Sequence, residues 1–245
     1  MNYFEIIPSE LNNIIVSYLI YNTLNNLLKT FNLMYINWSI VHSYHFGEYK
    51  SMSLPEYSSR LKIESLRDKL RLNYTIDELI NLQELRLDYN KLTKVPKEIG
   101  DLTNLLKLSL DNNQLKQLPP EIGNLTNLQH LYLNDNKLTK VPKEIGNLTN
   151  LLKLSLYNNQ LKQLPPEIGN LTNLLKLFLD NNNLRQLPKE ISNLTNLQQL
   201  SLRNNEVTQL PPEMGELTSL QSLHLSYYVR VPNEIKNLPN IQIFI

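Results

Sequence analysis

The 245-residue chain contains neither cysteine nor alanine. Without cysteine there is no disulfide framework, no thiolate zinc site and no cysteine nucleophile. Exported repeat proteins often close their ends with disulfides, so this absence points to a reducing compartment. Charge of one sign is also missing: 24 Lys and Arg against 23 Asp and Glu leave a formal net charge of +1, too little to draw nucleic acid or an anionic membrane. There is no long apolar run either. The longest, Ile14 to Tyr21, includes Ser17 and falls far short of the roughly 20 residues that span a bilayer, and "MNYFEIIPSE" has no basic leader region. These features predict a soluble, intracellular, cytoplasmic protein. Glycine is scarce, and five of the six recur at one point of a repeat, which leaves none for a phosphate-cradling loop. A nucleophile elbow and a paired-carboxylate constellation are likewise absent, so the expectation is a protein that is not an enzyme and takes no cofactor or metal. In "HSYHFGE", His42, His45 and Glu48 stand close together, but two histidines and one carboxylate read as an exposed helix end before a metal site. Four "NLT" triplets, at Asn124, Asn147, Asn170 and Asn193, match the glycosylation acceptor only because the repeat generates them. Abundant asparagine, isoleucine, lysine and tyrosine beside the missing alanine fit an AT-rich genome better than a physical need.

What is present is a repeat. Frames of 23 residues start at Leu79, Leu102, Leu125, Leu148, Leu171 and Leu194 and follow "LTNLxxLxLxxNxLxxLPxEIGN". A fixed period in the range of about 20 to 29 residues specifies a solenoid. Within a frame, "LxLxxN", as in Leu131, Leu133 and Asn136, predicts a short strand whose alternate leucines point inward. Leu138, Val141 and Ile145 complete the inward set. "VPKEIG" opens on a proline that fixes φ and closes on a glycine that tolerates φ > 0, which suits a tight turn or short helical segment on the outer side. Asn90, Asn113, Asn136, Asn159, Asn182 and Asn205 share one frame position. Carrying both donors and an acceptor, they are expected to form a buried structural ladder that satisfies turn groups of their own and the next repeat.

The pattern resembles intracellular leucine-rich repeat proteins of the 23-residue type from Leu79 to about Asn237. That resemblance implies an α/β leucine-rich-repeat solenoid with a parallel sheet lining a concave side, short helical or 3-10 outer turns, and protein partners held on the concave side. The last frame departs: "LHLSYYVRVPNEI" is two residues short between Leu225 and Pro232, has Tyr228 at the ladder position, and with "LPNIQIFI" is expected to form the closing cap.

Frames two and four differ only at Asp111 and Tyr157, so the array reads as a doubled two-frame unit. Frames one and three differ at Ile80/Thr126, Glu84/His130, Arg86/Tyr132, Asp88/Asn134, Tyr89/Asp135 and Asp101/Asn147, mostly on the outward side of the strand. The equally exposed "KLTK" and "PKE" residues did not change. This favours a face adapted to a partner over free drift, and the residues expected on it are Arg86, Asp88, Tyr89, Asp111, His130, Tyr132, Asp135, Lys153, Tyr157, Lys176, Phe178, Asp180 and Arg203.

Ahead of the repeats, "IPSELNNIIVSYL" spaces Leu11, Ile14, Ile15, Tyr18 and Leu19 as an amphipathic helix with Ser9 near its N-cap, and "TLNNLLKTFNLMYINWSIV" predicts two more short helices. One reading is an all-helical cap over the first repeat. The other is that the segment resembles an F-box: Ile7, Pro8, Glu10 and Leu11 match its opening, Ile15 to Leu19 its next block, and Leu24 and Leu27 follow in register. "IYNT" replaces the usual Asp-Pro link, and Met34 stands where a tryptophan is expected. The resemblance implies that Pro8, Leu11, Ile15, Leu19, Leu24 and Leu27 meet a Skp-type adaptor of a cullin-RING ubiquitin ligase while the repeats select the substrate. The combination also looks like the repeat proteins of giant DNA viruses that infect amoebae, which would place it in host cytoplasm. The alternative function is a leucine-rich-repeat signalling scaffold whose first helices only cap the solenoid. The expected division is 1–46 F-box-like helical segment, 47–78 linker including "YKSMSLPEYSSR" and N-terminal cap, and 79–245 repeats with a C-terminal cap.

Overall fold

The computed structural model describes residues 54–245, with side chains from Ser58 onward. The helix expected from Ile6 to Leu19, the adaptor residues Pro8, Leu11, Ile15, Leu19, Leu24 and Leu27, and His42, His45 and Glu48 lie outside the described residues.

Eight strands form one parallel sheet in sequence order: β1 Glu84–Arg86, β2 Lys107–Ser109, β3 His130–Tyr132, β4 Lys153–Ser155, β5 Lys176–Phe178, β6 Gln199–Ser201, β7 Ser222–His224 and β8 Gln242–Phe244. From β1 to β7 each residue pairs with the one 23 positions on, as Leu108 with Leu131 and Leu131 with Leu154. The pattern of two inward leucines per strand therefore stacks leucine on leucine. Leu85, Leu108, Leu131, Leu154, Leu177, Leu200 and Leu223 are all fully buried, and the neighbouring row from Leu87 to Leu225 is buried with them.

Behind the sheet, six five-residue 3-10 turns occupy Lys97–Asp101, Pro120–Asn124, Lys143–Asn147, Pro166–Asn170, Lys189–Asn193 and Pro212–Glu216. Each starts from a proline with φ between −69° and −60°, a value the ring imposes anyway. The glycine within the turn has a different role from the one expected. No described glycine has positive φ. Instead, a Cβ on Gly123 would sit 2.5 Å from the Glu144 carbonyl oxygen of the next repeat, so glycine lets successive turns pack backbone to backbone; only Ser192, in the turn Lys189–Asn193, carries a side chain at this position. Six of the eight left-handed residues lie just before the ladder asparagines: Tyr89, Asn112, Asp135, Asn158, Asn181 and Asn204, with φ of 53° to 60°; Arg71 and Lys91 are the other two. Asparagine and aspartate tolerate this region because their short polar side chains bond locally.

The N-terminal end is closed by α1 (Leu54–Leu70) and α2 (Ile76–Ile80). Part of the stretch expected to be linker is thus helical: "LPEYSSR" opens α1, and the apolar spacing that reveals it, Ile63, Leu66 and Leu70, falls beyond the polar run. Ile63 and Leu66 are buried in the same core as Leu79, Leu85 and Leu102. Lys69 Nζ donates to Glu98 Oε1 at 2.7 Å and Lys62 Nζ to Asp101 Oδ1 at 3.2 Å, tying α1 to the first turn. Burial pushes the Glu98 carboxyl up, but the Lys69 hydrogen bond and nearby lysine charge hold it below the usual range overall. Thr75 and Glu78 form a reciprocal capping box at α2. At the other end, α3 (Asn233–Lys236) and β8 follow the shortened frame, and Val229, Val231, Ile241 and Ile243 are only partly buried. Tyr228, at the ladder position, donates its hydroxyl hydrogen to the Asn205 carbonyl.

Candidate binding face of the sheet

The strands are three residues long with the middle one inward, so the first and third of each point outward and build two rows across the sheet. The first row runs Glu84, Lys107, His130, Lys153, Lys176, Gln199, Ser222; the second runs Arg86, Ser109, Tyr132, Ser155, Phe178, Ser201, His224. A third row at the strand ends comprises Asp88, Asp111, Asn134, Tyr157, Asp180 and Arg203.

The first two rows interlock. Glu84 binds both Arg86 (2.6 Å) and Lys107 (2.9 Å), whose hydrogen bonds hold its carboxyl below the usual range. The Lys107 ammonium lies 5.8 Å from the Tyr132 ring centroid, and Lys153 lies 4.9 Å from Tyr132 and 5.3 Å from Phe178. These distances fall within cation–π range. His130 is stacked on Tyr132 at 6.4 Å. Burial, followed by the charges of Lys107 and Lys153, pushes its imidazole pKa down, and its Nδ1 is buried with no partner.

The acidic members of the third row, expected to face a partner, have a structural task as well. Asp88 Oδ1 accepts from Ser109 Oγ at 2.6 Å and from the Asp111 amide at 2.9 Å; Asp111 Oδ1 accepts from the Asn134 amide at 2.7 Å; Asp180 Oδ1 accepts from Ser201 Oγ and from the Arg203 amide at 3.0 Å. Asn134 does the same for Ser155 and Tyr157. These side chains brace one repeat to the next. Half-buried Asp111 has its carboxyl pushed up by desolvation. Ser109, Ser155 and Ser201, the small members that alternate with large residues along the second row, are buried donors to an Asp or Asn 21 residues earlier. That correlated alternation was visible in the sequence and was the available signal.

Tyr89 stands out at 75% exposure, and Tyr157 is exposed beside Asp135. A hydrogen bond to Asp135, more than burial, pushes the Tyr157 hydroxyl up to about 12. Asp135 Oδ1 also accepts from Asn158 Nδ2 at 2.7 Å, and Asn181 and Asn204 extend this as an exposed asparagine chain. Arg203 is exposed.

The buried ladder has its own geometry. Asn136 Nδ2 donates to Leu110 O (2.9 Å), Leu133 O and Asn134 O, and its Oδ1 accepts from the Leu115 amide (3.0 Å). Asn113, Asn159, Asn182 and Asn205 repeat the pattern. The bonds reach back to the preceding repeat, not forward to the next as expected. Asn90, with no repeat before it, is exposed, and its side chain donates only to Asp88 O, while its amide donates to Asn113 Oδ1. A further row, from Asn104 to Asn196, donates from the "LTN" position to the preceding repeat at 2.8 to 2.9 Å. The asparagine abundance thus has a physical use in three rows, contrary to the compositional reading. Among the described residues no group of three His, Asp or Glu could hold a metal, and no helix is long and apolar enough to cross a membrane.

The sequence profile of the leucine-rich repeat region matches residues 57–178 and 166–244. No curated protein matches the chain. Among solved structures, a leucine-rich repeat protein of Leptospira interrogans is 43% identical with a TM-score of 0.65, covering 70% of this chain and 45% of its own. The ectodomain of the Arabidopsis thaliana membrane receptor kinase GASSHO1/SCHENGEN3, solved in complex with Casparian strip integrity factor 2, is 32% identical with a TM-score of 0.62, covering 68% of this chain and 21% of its own. An internalin of Listeria monocytogenes is 28% identical with a TM-score of 0.62, covering 76% and 54%. The chain thus spans about half or less of the length of each.

Proposed function

Because this chain belongs to the leucine-rich repeat proteins, whose solenoid is a protein-interaction fold, we propose that it is a non-catalytic adaptor: the outward sheet face holds a substrate protein, and the F-box-like segment carries it to a cullin-RING ubiquitin ligase in the cytoplasm, host cytoplasm if the source is viral. The receptor solved with its bound factor supports the first half of this reading. What supports the second half is the likeness of Ile7, Pro8, Glu10, Leu11 and Ile15 to Leu19 to an F-box, in a stretch that precedes in sequence the helices α1 and α2, whose Ile63, Leu66 and Leu79 pack into the repeat core.

The test is calorimetry of the full chain against a purified Skp-type adaptor, with Ile15→Asp as the control. Binding that the substitution abolishes supports recruitment. No heat of binding at tens of micromolar, about −6 to −7 kcal/mol on the affinity scale, sinks the adaptor reading and leaves the signalling scaffold.

A further inference from the structure

The sheet face has a chemistry of its own between β2 and β5. Lys107, His130, Lys153 and Lys176 are in register on four consecutive strands, about 4.8 Å apart. Lys107 is neutralised by Glu84, but neither Lys153 nor Lys176 is ion-paired among the described residues. Lys153 lies between two rings, with Tyr132 at 4.9 Å and Phe178 at 5.3 Å. Below it Ser155, 4% exposed, has turned its hydroxyl to Asn134 and floors the gap. The result is a slot with aromatic walls, a small polar floor and an ammonium directed into it. Burial first, and then the charges of Lys107 and Lys153, push the pKa of His130 beside it down.

Along the strand ends runs a margin of opposite sign, Asp88, Asp111, Asp135 and Asp180, whose oxygens brace backbone amides and neighbouring side chains. A polyanion charged on every side, such as nucleic acid, would meet this margin unfavourably. A polypeptide can present carboxylates to the lysine row and none to the acidic margin.

We propose that the face from β2 to β5 takes an acidic, extended segment of the partner protein, with carboxylates on Lys153 and Lys176, the Lys153 pair lying at the mouth of the slot flanked by Tyr132 and Phe178. This rests on the reading of the sheet as the partner-binding face and assigns the partner's chemistry. Aromatic walls exclude water from the ion pair and strengthen it, while the acidic margin fixes which side of the segment faces the lysines.

The experiment uses the full chain and a fluorescein-labelled peptide alternating Glu and Ser, read by anisotropy at low and high salt. Binding is expected to weaken with salt, to vanish when Gln replaces Glu in the peptide, and to fall by at least about tenfold in Lys153→Gln/Lys176→Gln while Lys153→Arg/Lys176→Arg retains most of it. The His130 imidazole, followed by NMR, should titrate at higher pH with the peptide bound, because carboxylates offset the lysine charges. Equal binding of the Gln peptide, or no loss in the double Gln variant with unchanged melting, overturns the proposal. So does equally tight binding of single-stranded DNA, which would favour a nucleic acid. A Lys and Ser peptide that binds and is lost in Tyr132→Ala/Phe178→Ala would keep the sheet as binding face while removing its acidic partner. Insensitivity of both peptides to that substitution would move binding off the sheet.

Discussion

At the scale of the residue, two tyrosines are held in states their chemistry does not prefer. Tyr89 occupies the left-handed region at φ 60° where later repeats use Asn or Asp, and it is 75% exposed, so little packing offsets the strain. Tyr89→Asn should raise stability by about 1 kcal/mol, measured as a higher melting temperature. No increase would mean that the aromatic ring is stabilised by contacts on the surface. Tyr157 should resist ionisation until about pH 12, and Asp135→Asn should return its ultraviolet titration toward the ordinary tyrosine range, because the carboxylate hydrogen bond is the chief cause of the shift. An unchanged titration midpoint in the variant would remove Asp135 as the cause. Neither feature was legible in the sequence, where the left-handed position looked like any exposed strand end. The frame and ladder were legible because one residue type recurs every 23 positions for one geometric reason.

At the scale of the element, the asparagine ladder holds each turn to the repeat before it. Asn136→Ala should cost about 1 to 3 kcal/mol for each buried backbone group it leaves unsatisfied, whereas Asn90→Ala, at the exposed start of the column, should cost far less. Chemical denaturation of the two variants side by side checks this, and equal midpoints would contradict the nearest-neighbour geometry. The sequence pattern located the column but not its direction. The "LPxEIGN" glycine was legible as favoured, yet for the wrong reason: the preference comes from the Glu carbonyl of the next turn, a contact between repeats that a single frame does not display. For the same reason the bracing role of the Asp88 row was not legible. Its Ser109 and Asp111 partners are 21 and 23 residues away, and only stacking brings them together.

At the scale of the molecule, the described unit has unequal ends. At the first end two helices bring Ile63, Leu66 and Leu79 into the core, with Leu82 and Leu92 only partly covered; at the far end a frame two residues short and the four-residue α3 leave Val229, Val231, Ile241 and Ile243 partly covered. In a stack where each repeat contacts only its neighbours, opening starts where the end contacts are weakest. Hydrogen exchange should therefore be fastest around β7 and β8 and slow toward the middle strands, with β1 protected by α1; fastest exchange at β1 would contradict the sealing role of the helices. The same nearest-neighbour bonding has a mechanical consequence. With every brace joining one repeat to the one before, a pull on the C-terminus loads a single interface at a time, and the chain should yield as a ratchet. Each 23-residue repeat released would add up to about 80 Å of contour length, so the protein behaves as a strap that lengthens in equal steps before it breaks.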